Sequence, residues 1–246
     1  RGGADWALGP GDSCPEIADE AAALSCKHYL NLRRALLAGG GRPFEPRLNS
    51  REFVENLARE RGAASLVWAY LHGKTREDAA PSGLGENPRL VFGIEPDQSL
   101  DVLSPGLLDQ VKFLTLTDPP ALQAFPLVGL IACETGAAVI GGTSGRDFEN
   151  AFFSLGAGGV ITTEAEIESV TAETFGAGLI AALAESEWVT PSEAMLRTRR
   201  KMFEDHHGNL WTLLFHYSGA HGIQFRKDFT APFALATPGS GATSPE

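Results

Sequence analysis

Cysteine is scarce in this chain, cationic side chains are outnumbered, and no long apolar run occurs. Three cysteines in 246 residues are too few for a disulfide framework or a cysteine-rich zinc module, so Cys14 and Cys26 are expected as incidental free thiols. No stretch approaches the roughly 18 to 20 apolar residues needed to cross a membrane. The N-terminal region lacks the basic start and apolar core of a secretory signal. Lys and Arg number 20 against 31 Asp and Glu, a formal net charge of -11. Phosphate backbones are held by Lys/Arg surfaces, so nucleic acid is excluded as a partner, and a soluble protein of the reducing cytoplasm is expected.

What is present is ordinary globular material. Hydrophobic residues make up 43% and charged residues 21% of the chain, too apolar for a disordered protein. The 28 glycines and 15 prolines exceed typical usage of about 7% and about 5% when taken together, which points to many turns and long functional loops. The chain opens at Arg1 and fades out in Thr237-Pro-Gly-Ser-Gly-Ala-Thr-Ser-Pro-Glu246; it reads as a fragment of a longer protein.

Periodicity organises the rest. Glu16 to Leu37 reads as a helix with Ile17, Ala21, Leu24, Tyr29, Leu32 and Leu36 near one face. Asn49 or Ser50 could cap a short helix over Glu52 to Glu60. Apolar runs of strand length occupy Ser65 to Leu71, Pro126 to Ala132 and Gly159 to Thr163, with a small candidate at Leu90-Val91-Phe92 and a late one from Leu210 to Tyr217. Helices are expected over Asp147 to Leu155, Val170 to Leu183 and Pro191 to Phe203, the last with a solvated basic edge of Arg197, Arg199, Arg200 and Lys201. Buried strands alternating with helices indicate an α/β fold with a mostly parallel sheet. Residues 74–105 form a polar, Pro/Gly-punctuated insertion of the length that usually carries function.

In open parallel sheets, ligands bind beyond the carboxyl ends of the strands. Two strand candidates end in reactive side chains, His72-Gly73 and Cys133-Glu134-Thr135-Gly136. A thiol beside an imidazole is an activated nucleophile, because the base lowers the thiol pKa and later returns the proton. Glycine beside each residue allows tight turns that expose backbone N–H groups. A lone cysteine at a strand end is more often a small buried hydrophobe; the pairing with His72 is what gives Cys133 chemical meaning. Other candidates read as structural. His206 and His207 lack the spacing of metal ligands, His216 and His221 are packed or exposed, and Gly141 to Arg146 lacks the Gly-Lys-Ser/Thr ending of a phosphate loop.

At these residues the sequence resembles CHAT domains, the caspase-like and separase-like cysteine peptidases of bacteria. Leu127-Val128-Gly129-Leu130-Ile131-Ala132-Cys133-Glu134-Thr135-Gly136 is similar to their catalytic-cysteine strand and loop, and Trp68-Ala69-Tyr70-Leu71-His72-Gly73 to their histidine strand and loop. Phe148-Glu149-Asn150-Ala151-Phe152, Gly156 to Ile161, Thr163 to Ile167, and Glu193 to Leu196 with Arg199 resemble later blocks in the same order. The resemblance covers roughly residues 50 to 222. It implies a caspase-like three-layer α/β/α sandwich with a mostly parallel central sheet. Residues 1–48 would join that domain as an irregular segment and helix, 49–228 would form the peptidase core, and 229–246 a flexible tail.

The same resemblance implies Cys133 as nucleophile, His72 as general base and acid, and the backbone N–H groups of Gly73 and Cys133 as oxyanion donors. Neither metal nor cofactor is implied. The partners would be a protein or peptide substrate and a regulatory domain or activator outside this segment. Glu164, Glu166 and Glu168 follow the fourth apolar run and could line a pocket for a basic side chain before the cleaved bond; a small apolar residue is the rival. The alternatives are a catalytically silent module of the same fold used for protein interaction, and a different Cys/His acyl-transfer enzyme.

Overall fold

The run Leu127–Ile131 forms strand β5 of the sheet and is buried at every position, as expected of a strand covered on both faces. The structure is a computed structural model, which describes residues 13–14, 16, 20–38, 49–59, 66–70, 72–74, 89–94, 100–115, 122, 125–131, 147–165, 167–185, 188–205, 210–220 and 224–226. Helices α1 (Glu20–Ala38) and α2 (Ser50–Arg59) precede strand β1 (Leu66–Tyr70). An insertion then supplies β2 (His72–Lys74), β3 (Arg89–Ile94), β4 (Leu100–Leu103) and helix α3 (Pro105–Thr115). Beyond β5 come α4 (Asp147–Leu155), β6 (Gly159–Thr163), α5 (Ser169–Glu185), β7 (Trp188–Val189), α6 (Pro191–Asp205), β8 (Phe215–Gly219) and β9 (Phe225–Arg226).

The main sheet has the order β1-β5-β6-β8. β1, β5 and β6 run parallel, and β8 closes the edge antiparallel to β6. Side chains alternate across it. Val67, Ala69, Val128, Leu130 and Val160 enter one core with residues of α2, α3 and α4. Leu127, Ile131, Ile161 and Phe215 enter the other with α5 and α6, where the rings of Phe175 and Phe215 stack at 3.6 Å. Leu32 and Leu36 of α1 add to that second layer beside Ile180, Leu66 and Trp68. The result is the expected caspase-like α/β/α sandwich with a mostly parallel sheet. Among the described residues no helix is long and apolar enough to cross a membrane.

Three expectations need correction. The segment expected as one late strand divides into a 3-10 helix over Trp211–Leu214 and strand β8. Leu210, Trp211 and Leu213 are exposed, so their apolar run reflects no sheet face. Arg199 leaves the expected basic edge of α6. Its guanidinium is half-buried and donates to the carbonyl oxygens of Thr212, at 3.2 Å, and Phe215, with burial lowering its pKa. It thus satisfies carbonyls at the junction where the 3-10 helix gives way to β8. Arg197, by contrast, pairs with Glu193 one turn away in solvent.

The third correction concerns cysteine. Cys14 and Cys26 are joined by a disulfide, with Cα atoms 5.9 Å apart. A low cysteine count argues against a framework, not against a single clip. The expectation of two free thiols is thereby overturned. Cys26 is fully buried on α1, and the bond ties the segment before α1 to that helix.

Helix α1 docks on α5 through polar as well as apolar contacts. Asn31 donates its side-chain amide to the carboxylate of Glu173. One turn from Asn31, His28 is almost fully buried, and its Nε2 accepts the Trp68 indole N–H at 3.3 Å. An accepting Nε2 means a neutral ring protonated on Nδ1. Burial pushes the pKa of His28 down to about 3.

Two outcomes follow from α1. Removing the clip by Cys14→Ser should lower stability in a denaturant titration by about 3 kcal/mol, the unfolded-state entropy of a loop this size; a loss below about 0.5 kcal/mol, within the noise of surface substitutions, would show that the bond is not formed in solution. His28 sets a pH dependence. Below the ordinary histidine pKa of about 6.5, the unfolded chain takes up a proton that folded His28 refuses, so stability present above that pH is lost as pH falls toward about 3. Between pH 7 and pH 5 the wild type should lose about 2 kcal/mol more than His28→Gln. Parallel stability curves for the two proteins would refute the assignment.

Candidate functional site

The two strands expected to carry the reactive side chains are neighbours. β1 and β5 pair in parallel with Leu66 opposite Leu127 and Tyr70 opposite Ile131. His72 lies two residues beyond Tyr70 and Cys133 two residues beyond Ile131. One register therefore relates both positions to the carboxyl edge of the sheet, where parallel α/β folds bind ligands. His72 opens β2 opposite Val91, and Gly73 follows opposite Leu90. β2 is the first strand of a separate antiparallel sheet, β2-β3-β4. The long polar insertion thus contains a small sheet that begins at the histidine, which the sequence reading had reduced to one strand candidate. Cys133 and the loop that follows it lie outside the described residues.

The approach of β1 to β5 rests on a residue without a side chain. Gly129 faces Trp68 in the register, and a Cβ placed on Gly129 would come 2.3 Å from the Trp68 ring. No side chain tolerates that separation, so the indole lies directly across the β5 backbone.

Of the three glutamates proposed as pocket residues, Glu164 and Glu168 are described. Both are exposed. Glu164 follows β6 immediately; its backbone N–H donates to the Leu214 carbonyl at 2.9 Å, and its carboxylate stands 3.7 Å from His216 Nδ1. The carboxylate is thus available at the carboxyl edge of the third strand. Glu168 has a local role, because its carbonyl accepts the Ala172 N–H and it precedes α5 where negative charge suits the helix N-terminus. Glu166 lies outside the described residues.

A carboxylate that sequence reading passed over lies inside. Glu149 of α4 is buried; its Oε1 accepts from Thr162 Oγ1 at 3.0 Å and its Oε2 from Ser218 Oγ at 3.1 Å. Thr162 is in β6 and Ser218 in β8, so one side chain satisfies both strands and binds them to α4. The signal was an acidic residue embedded between Phe148 and Phe152, on an inward position of an apolar helix. Among the described residues no cluster of three or more His, Cys, Asp or Glu is arranged to hold a metal ion.

With this geometry established, comparison with known proteins adds one finding. The family model of the CHAT domain matches residues 4–234, nearly the whole chain and more than the sequence resemblance had covered. No curated protein matches the chain.

The contact of Trp68 with Gly129 is open to direct test. Gly129→Ala should destabilise the protein by about 1 to 3 kcal/mol in chemical denaturation, since the methyl group must displace the indole or part the strands. An unchanged midpoint would mean that the ring does not lie over β5.

Proposed function

The chain belongs to the CHAT domain family, a caspase-like and peptidase-related group, and from that premise we propose that it is a cysteine endopeptidase domain. The observation that carries this reading is the β1–β5 register, from which the chain continues equally to His72 and Cys133. In the reaction, His72 takes the proton of the Cys133 thiol and the thiolate attacks a peptide carbonyl carbon. The resulting oxyanion is held by the backbone N–H groups of Gly73 and Cys133, each worth about 3 kcal/mol in sites of this kind. Collapse of that intermediate breaks the C–N bond as His72 returns the proton to the leaving amine, and water then hydrolyses the thioester.

The substrate is a protein segment, and activity is governed by a regulatory domain or activating partner outside these residues. A basic residue before the cleaved bond is supported by the exposed carboxylate of Glu164 at the end of β6, with Glu166 and Glu168 following in the chain. A guanidinium offered to that carboxylate would displace the longer His216 contact with a charge-assisted pair.

An electrophilic peptide probe should label wild-type protein at Cys133 alone, and cleavage of a protein mixture should disappear in Cys133→Ala. His72→Ala should slow cleavage by about 10² to 10⁴, the usual worth of a general base. Labelling elsewhere, or cleavage that survives Cys133→Ala, would sink the peptidase reading and favour a silent interaction module. Among fluorogenic peptides differing only before the scissile bond, Arg or Lys should outperform Leu; the reverse order would remove the acidic pocket.

A further inference from the structure

Trp68 touches more of this molecule than a core residue at its position needs to. It lies four residues before His72, and its partner Gly129 lies four residues before Cys133. Its ring occupies the space that a Cβ on Gly129 would require. The other side of the indole meets α5 at Gly176, where an added Cβ would stand 2.9 Å from Trp68 Cζ2 and 3.3 Å from His28 Cε1. Its N–H donates to His28 Nε2 on α1. Three elements therefore clamp one side chain: β5 beneath it, α5 above it, and α1 at its polar edge.

Packing against the two glycines restrains the ring by shape alone. The directional contact is the N–H···Nε2 bond, and a part-buried polar pair of this kind favours one arrangement out of several that apolar packing would accept. Sliding or tilting the ring would press on the Gly129 backbone and move β5 relative to β1. His28 is itself held firmly, because Cys26, two residues before it, carries the disulfide, and Asn31, three residues after it, bonds to Glu173 of α5.

We infer that Trp68 and His28 are positioning residues for the His72–Cys133 pair, holding β1 and β5 at the separation and twist from which the two side chains meet. This rests on the peptidase reading and deepens it. Neither residue touches substrate. Their effect is on the alignment of thiol and imidazole, where a displacement near 1 Å can cost about 10²-fold in rate.

The disulfide leaves Cys133 as the sole remaining cysteine of the chain, so its alkylation by iodoacetamide can be followed directly. In wild-type protein the rate should rise with pH at a midpoint below the ordinary thiol value of about 8.5, as the proposed pairing with His72 requires. His28→Leu removes the acceptor and Trp68→Phe removes the donor while keeping a ring. Both should move the midpoint back toward the ordinary value and lower kcat about tenfold with KM changed less than about twofold. His28→Gln, whose amide oxygen can accept the indole N–H, should restore both readouts. All proteins are compared at a temperature where circular dichroism shows each to be folded; if His28→Leu does not fold, Trp68→Phe carries the comparison.

Variants that lose stability yet keep the wild-type midpoint and kcat would overturn the inference and leave Trp68 a packing residue. An ordinary thiol midpoint in the wild type itself would overturn the peptidase reading, and this inference with it.

Discussion

The close contact of the Trp68 indole with the Gly129 backbone is the constraint on which the edge of the sheet depends. Parallel strands have no hairpin to set their register, and only side-chain packing and the ladder itself hold them in place. β1 and β5 meet this difficulty by pairing the largest side chain with the smallest. The large apolar body of the indole is buried across the strand, and the absent Cβ of glycine lets the two backbones keep ladder distance while it does so. Gly176 of α5 repeats the device from above, so the second helical layer can settle onto the same ring.

The two faces of the sheet use polar chemistry to different ends of one task. On the face covered by α4, Glu149 accepts from Thr162 and Ser218 and so joins β6 to β8. On the opposite face, Trp68 joins β1 to β5 by packing and to α1 by its hydrogen bond to His28. Glu149 is buried and Trp68 partly buried, and each has polar partners supplied, which makes it a specifying contact rather than a liability. Together they cover both ends of the strand order β1-β5-β6-β8. The central pair, β5 and β6, is buried at every position. Arg199 performs a similar service outside the sheet, satisfying carbonyls where a 3-10 helix gives way to β8.

The elements legible in the sequence were those whose burial shows as a continuous apolar run or a helical period. Leu127–Ile131, Gly159–Thr163 and Asp147–Leu155 fall where their patterns put them, because local pattern and tertiary burial agree there. The small sheet β2-β3-β4 was not legible beyond Leu90 to Phe92. His72–Lys74 has only three residues and no alternation, and it becomes a strand by pairing with β3. Leu210 to Leu213 misled for the opposite reason: Leu210, Trp211 and Leu213 face solvent, so composition carried no information about burial. The proposed site was read from the ends of two strands, β1 and β5, which are neighbours, while Cys133 lies outside the described residues. The second layer of residues was not legible. Trp68, His28 and Glu149 are ordinary members of apolar segments until the register and helix packing bring them together, and the Cys14–Cys26 bond required the fold of α1 to bring two distant thiols into range.

That bond also changes the chemistry expected at Cys133. A thiolate nucleophile in a chain that carries a disulfide faces a competing reaction, attack on the disulfide sulfur with exchange of partners. Exchange requires the attacking sulfur to reach its target in line, and Cys26 is completely buried. Cys14, its partner, is only partly covered, but attack there would have to release Cys26 as a thiolate within an apolar interior, where the charged form is disfavoured. On the proposed function, the burial of Cys26 would shield the disulfide from Cys133. A structural disulfide and the proposed nucleophile could then share this chain, provided that the helix carrying Cys26 and His28 stays seated against Trp68.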